Sequence, residues 1–193
     1  MIRETILSTV GADGRLHLAP IGIIADGDGW IIAPFRPSTT LDNLSAVPFA
    51  VANYTDDVRI FAGCLTGRHE WPTVAADNVP VPRLAGALAH AELEVVRMTD
   101  SEQRPRFHCA VRHFGLHAPF AGFNRAKAAV IEAAILVSRL HMLPRAKVEA
   151  EIAYLEIAVS KTAGAEEAQA WTWLMEAIHA HYAEQAARAP STG

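Results

Sequence analysis

Only two cysteines occur in 193 residues, Cys64 and Cys109, and they share no CxxC spacing. So low a count excludes a disulfide framework and suits two free thiols in a reducing compartment. Positive charge is also in short supply. With a formal net charge of −4, no overall field draws the chain to nucleic acid or to an anionic membrane face. Long apolar runs are missing: the longest, 128–137, is interrupted by Glu132 and is too short to span a bilayer. Met1 to Thr5 has no basic stretch leading into an apolar one, so no signal peptide is expected. The expectation is a cytoplasmic protein that spans no membrane. Two catalytic signatures are absent as well. Without Gly-x-Gly-x-x-Gly after a strand there is no integral nicotinamide-binding unit, and without Gly-x-Ser-x-Gly or a cysteine–histidine signature hydrolysis has no support.

What is present is a globular composition, 51% hydrophobic and 20% charged, in a chain long enough for one domain with an elaboration. Its first half reads as strands. Thr5 to Val10, Leu16 to Ala25 and Trp30 to Phe35 are apolar or β-branched runs separated by Gly11-Ala12-Asp13-Gly14 and Asp26-Gly27-Asp28-Gly29, which predicts an antiparallel meander. Phe49 to Asn53, Val58 to Leu65, Leu84 to Arg97 and Phe107 to Phe114 are further predicted strands, with a long proline-bearing loop over 67–83. The pattern changes at Phe123-Asn124. Asn124 is positioned to cap a helix running to about Leu140, and Pro144 suits the first turn of a second helix. Val148, Ile152, Leu155 and Val159 share a face of that helix, which Gly164 ends. A third helix carries Trp171, Leu174, Met175, Ile178 and Tyr182 on one stripe. Strands followed by helices predict an α+β chain, and short antiparallel strands of this number close into a small barrel. The expected domains are 1–122 (barrel), 123–188 (helical) and a frayed tail, 189–193.

One segment carries chemistry: Pro34-Phe35-Arg36-Pro37-Ser38-Thr39-Thr40-Leu41-Asp42-Asn43-Leu44. A guanidinium and three hydroxyls fall within five residues, at the end of a strand and the start of a short helix. That is what a phosphate requires, since arginine pairs with two oxygens, hydroxyls donate to the rest and a helix start favours an anion. On the local pattern alone a second reading stays open, in which one hydroxyl merely caps the helix and Arg36 sits in solvent.

The order Glu4-Thr5-Ile6, Asp13-Gly14, His17-x-Ala19-Pro20-Ile21-Gly22, then Pro34 to Leu44, resembles the flavin-reductase-like FMN-binding split β-barrels. It is most similar to a branch of unknown function with an extra helical C-terminal part. Asn53-x-Thr55-Asp56-Asp57-Val58-x-Ile60-Phe61 and Phe123-Asn124-Arg125-Ala126 also resemble that branch. The resemblance covers residues 2 to about 140. It implies an antiparallel, Greek-key-like split barrel followed by helices, a homodimer, and FMN in a groove between the two copies. It further implies that Ser38, Thr39 and Thr40, with Arg36 and Asn43 nearby, hold the phosphate. The ring would meet His17, Ala19, Pro20, Ile21 and Gly22 from one strand and Asn53, Thr55, Asp56 and Asp57 from a polar turn. The implied activity is an FMN-dependent oxidoreductase acting on a small molecule, with no obligatory side-chain acid or base; His17 is the proton donor to test. The alternatives are a flavin or deazaflavin carrier, with an association to pterin-type one-carbon metabolism, and an interaction module that has lost its ligand.

Other polar groups are read more plainly. Consecutive carboxylates point to opposite faces of a strand, so Asp56-Asp57 is expected to be a turn, or one cap and one solvated group. His108, Cys109, His113 and His117 lie along one strand and its exit with no second cysteine, and no metal site is expected from them. His179 and His181 are two apart on a helix and do not face each other.

Overall fold

The computed structural model describes residues 1–188; the tail expected at 189–193 lies outside the described residues. The chain divides into two compact units. One comprises residues 1–56 and 69–121, the other residues 57–68 and the described residues from Gly122 onward.

The first unit is a closed antiparallel barrel. Its strands are β1 (Ile2–Val10), β2 (Leu16–Asp26), β3 (Gly29–Ile32), β4 (Phe49–Tyr54), β7 (Ala89–Thr99) and β8 (Arg106–Leu116), in the order β1-β2-β3-β8-β7-β4, with β4 closing onto β1. β4 beside β1, followed by β2 and β3, is the Greek-key order. The turns behave as their glycines require: Gly14 and Gly27 adopt φ of 76° and 59°, the left-handed region that glycine enters without strain. The interior alternates along each strand, with Leu7, Ile23, Ile32, Ala52, Ala91, Leu93, Phe107 and Cys109 forming the core. The helix α1 (Thr39–Ala46) adds Leu41 and Leu44 to that core. Over 67–83, where a plain loop is expected, β5 (Thr73–Val74) pairs with β6 (Arg83–Leu84) as a small ladder, and the strand expected over Leu84 to Arg97 begins as β7 only at Ala89. Val79 and Val81 of this segment pack on Val10 and Val51, the outward side chains of β1 and β4.

The second unit contains α2 (Val58–Leu65), α3 (Arg125–Ser138), α4 (Arg145–Thr162) and α5 (Ala165–Arg188). The strand expected over Val58 to Leu65 is thus a helix. Asp57 caps it, its carboxylate accepting from Arg59 N at 3.0 Å and pairing with the Arg59 guanidinium at 2.7 Å. Val58 and Ala62, four apart, face Ala126, Val130 and Ala133 of α3 and Trp171 and Leu174 of α5. An apolar run of eight residues satisfies either period, and tertiary packing decided it. Asn124 caps α3 as expected, accepting from Ala126 N at 2.8 Å and Lys127 N at 3.2 Å. Trp171, Leu174, Ile178 and Tyr182 of α5 are buried on one stripe. No described helix is long and apolar enough to cross a membrane.

Candidate functional site

The loop after β3 is held from the β7–β8 turn. Arg104 donates from Nε and Nη2 to the Ala33 carbonyl at 3.1 and 2.7 Å, and its guanidinium lies 4.4 Å from the centre of the Phe35 ring. The Arg36 amide donates to Gln103 O at 3.0 Å. These bonds position the start of α1. Ser38 is its N-cap, with Oγ accepting from Leu41 N at 3.3 Å, and Thr39 is exposed on the first turn. Arg36 meets the Asp100 carboxylate at 3.0 Å, with both side chains largely in solvent. An exposed pair of this kind contributes about 0–1 kcal/mol, so its guanidinium can exchange one anion for another at little cost. Ser38 thus caps the helix and Arg36 is exposed, as the second reading of the local pattern expects, and that arrangement leaves the guanidinium accessible to an anion. Because the Ser38 hydroxyl accepts in the cap, its proton is still there to donate. Ser38, Thr39 and Arg36 together fit a phosphate ester.

Thr40 and Asn43 are turned inward. Thr40 is buried, and Asn43 Nδ2 donates to Thr9 Oγ1 at 3.0 Å inside the barrel. Asn43 therefore fastens α1 to β1, and its amide does not reach toward an anion at the loop. Thr9 is also the cross-strand partner of His17, so the loop–helix segment and the start of β2 share this one residue as a neighbour.

β2 has a feature that the sequence does not announce. It pairs with β1 along Leu16 to Ile24, yet with β3 only from Ile24 to Asp26. Its stretch from Leu16 to Ile23 is thus laddered on one side only, which is where Pro20, lacking an N–H, can be accommodated. His17, Ala19, Pro20, Ile21 and Gly22 are all half-buried on this edge. Burial, with the His69 charge second, pushes the His17 imidazole below its ordinary value, so it is neutral at pH 7.

Asn53 is elsewhere. It is fully buried on the outer face of the barrel beneath the 73–84 segment; its Nδ2 lies 2.9 Å from Ile6 O and Ser8 Oγ, and its Oδ1 accepts from Leu84 N at 2.8 Å. This corrects the expectation of a ring contact, because a side chain so enclosed reaches no ligand. Thr55 and Asp56 are half-buried in the stretch after β4, and Asp57 is committed to capping α2. The histidines after Phe107 separate. His108 pairs with Asp26 at 2.7 Å, Cys109 is in the core, and His113 and His117 turn to His90 on β7. Burial pushes the thiols up to about 12 for Cys109 and about 11 for Cys64, so neither is a nucleophile at neutral pH.

Family models of a protein of unknown function, DUF447, match its N-terminal domain at residues 3–118 and its second part at residues 124–176. The FMN-bound protein MM1853 from Methanosarcina mazei, of the same family, superposes with a TM-score of 0.80 at 24% identity, over 91% of this chain and 94% of that one. Flavoredoxin from Methanosarcina acetivorans gives a TM-score of 0.51 at 12% identity over 60% of this chain and 69% of its own. The 2-nitrobenzoate 2-nitroreductase NbaA of Pseudomonas fluorescens gives 0.51 at 17% identity, over 59% and 64%. No curated protein matches the chain. The barrel is the flavin-reductase-like split barrel, and the chain belongs to the DUF447 family.

Proposed function

We propose that this protein is a cytoplasmic FMN-binding flavoprotein, working as a homodimer and as an oxidoreductase of the flavin-reductase-like type on a small molecule. The observation that carries the reading is the loop after β3. There a weakly paired Arg36, a capping Ser38 and an exposed Thr39 surround the N-terminus of α1, whose unpaired amides and dipole favour an anion. MM1853, similar along nearly the whole chain, is FMN-bound, which supports FMN as the phosphate ester concerned. The one-sided edge of β2 supports the second half of the assignment. Main-chain groups without a strand partner, between His17 and Ile23, are suited to grip the polar rim of a flat ring.

FMN, when bound, supplies hydride or electron transfer. The protein's part is to bind, orient and exclude water. Arg36 and the hydroxyls of Ser38 and Thr39 hold the phosphate; Pro20 and Ile21 bring half-buried apolar surface to the ring; neutral His17 offers one N–H without a charge. The dimer is supported by the large apolar side chains that the barrel leaves in solvent, among them Phe35, Phe114 and Leu116.

The test is a visible spectrum of the purified protein, followed by titration of FMN into the flavin-free form and into an Arg36→Ala, Ser38→Ala double variant. The expected result is a flavin spectrum with tight binding to the wild type. In the double variant the affinity should fall by about tenfold to a few hundredfold, since two charge-assisted or hydroxyl contacts are lost. If the wild type neither carries nor takes up FMN, the reading is wrong.

A further inference from the structure

A second group of side chains in the barrel unit is distinct from the residues assigned above to the flavin. His90 and Glu92 are two apart on β7, share its outer face and are both fully buried. His113 stands opposite Glu92 on β8, and Asp77 descends from the 73–84 segment. His113 reaches this face through an irregularity. Leu93 pairs with Val111 and Glu92 with His113, so Arg112 is an extra residue, and the faces of β8 interchange there.

We propose that Asp77, His90, Glu92 and His113 bind one divalent transition-metal ion of the zinc class, fastening the 73–84 segment to the outer face of the barrel. The ligand atoms are already spaced for it. His90 Nε2 lies 3.2 Å from Glu92 Oε1 and 3.7 Å from Asp77 Oδ2, and His113 Nε2 lies 3.4 Å from Asp77 Oδ2. All four atoms fall within 4.8 Å of one another. A tetrahedron with metal–ligand bonds of about 2.0–2.1 Å has edges of about 3.3 Å. Two imidazoles and two carboxylates suit zinc and its neighbours better than calcium or magnesium, which prefer all-oxygen sets.

The surroundings fix the ligands as metal sites require. His90 Nδ1 is 2.9 Å from His117 Nε2, which directs the other nitrogen at the cluster. Glu92 accepts from Asp77 N at 2.6 Å and Asn78 N at 2.7 Å, so its carboxylate cannot swing away. The His90 ring lies on Gly115, where a Cβ would come within 2.6 Å of the ring carbon Cε1. Charge points the same way. Among the described residues the ion-pair partner of buried Glu92 is a histidine, with no lysine or arginine beside it, and a dication would balance the two carboxylates. His90 and Glu92 form the floor, while Asp77 and His113 are solvent-accessible at the rim and give an ion its way in.

Untagged full-length protein, stripped with a chelator, is titrated with Zn²⁺ against a chromophoric competitor. It is titrated separately with Co²⁺, reading the visible spectrum as a difference from the cobalt-free protein. About one equivalent per chain should bind, with the intense d–d bands of tetrahedral Co²⁺, and Zn²⁺ should raise the Tm. His113→Ala and Asp77→Asn alter the exposed rim; affinity should fall at least about 100-fold and the Co²⁺ bands should vanish, while His117→Ala should cost about 10–100-fold. The proposal is overturned if the wild type takes up no stoichiometric metal, or if both rim variants bind as the wild type does. The four residues would then form only a hydrogen-bonded latch from His117 through His90 to Glu92. None of these readouts depends on flavin.

Discussion

The carboxamide of Asn53 joins three pieces of backbone, β1 through Ile6 O, β4 through Val51 O and β6 through Leu84 N, and no water reaches it. A buried donor or acceptor left unmatched costs about 1–3 kcal/mol. Asn53→Ala is therefore expected to lower stability by about 2–4 kcal/mol, read as a shifted urea midpoint with an unchanged slope, which identifies it as a structural residue. His17 gives a pH-dependent counterpart. Its half-buried imidazole titrates below the ordinary value of about 6.5, so the folded state binds its proton less readily than the unfolded chain does. The stability this confers is complete above about pH 6.5 and is lost as pH falls through the folded value. Between about pH 7.5 and 5.5 the wild type should thus lose more stability than His17→Gln, and equal losses would remove His17 from the account.

At the scale of elements, side-chain caps mark where α2 and α3 of the second unit start. Asn124 performs two tasks: its Oδ1 accepts from two amides of α3, and its Nδ2 donates to Thr162 O at the end of α4 at 2.9 Å. Asn124→Ala should cost about 1–2 kcal/mol in thermal or chemical denaturation, whereas Asn124→Asp should preserve the cap and lose only the bond to α4. Asp57 plays the capping part for α2. Reading 58–65 as a strand missed this because Val, Ile, Phe and Leu in eight residues carry no decisive period, while the Asp before them was a legible start signal.

On the scale of the whole molecule, the barrel closes but leaves one-sided stretches that can recruit a neighbour, among them residues 16–23 of β2 and 110–116 of β8. A homodimer enclosing flavin predicts a species of about twice the 20.8 kDa chain mass in light scattering. Replacing the exposed Phe114 and Leu116 by serine should shift it towards the monomer and weaken FMN binding together. A monomer that binds FMN as tightly as the wild type would show that one copy holds the flavin alone.

Residue order along the chain was enough to determine the barrel, the three C-terminal helices and the Arg36–Thr39 loop. Turn glycines, alternation, caps and a run of hydroxyls beside an arginine act locally, within a few residues. What tertiary structure decided depends on neighbours far apart in sequence. Whether 58–65 coils was settled by α3 and α5, and whether Asn43 and Asn53 face a ligand by Thr9 and by the segment ending at Leu84. Whether four scattered side chains meet was settled by the one extra residue at Arg112 that turns His113 to Glu92. A strand's faces alternate with period two, so a single inserted residue exchanges them, and it can be recognised only against the partner strand.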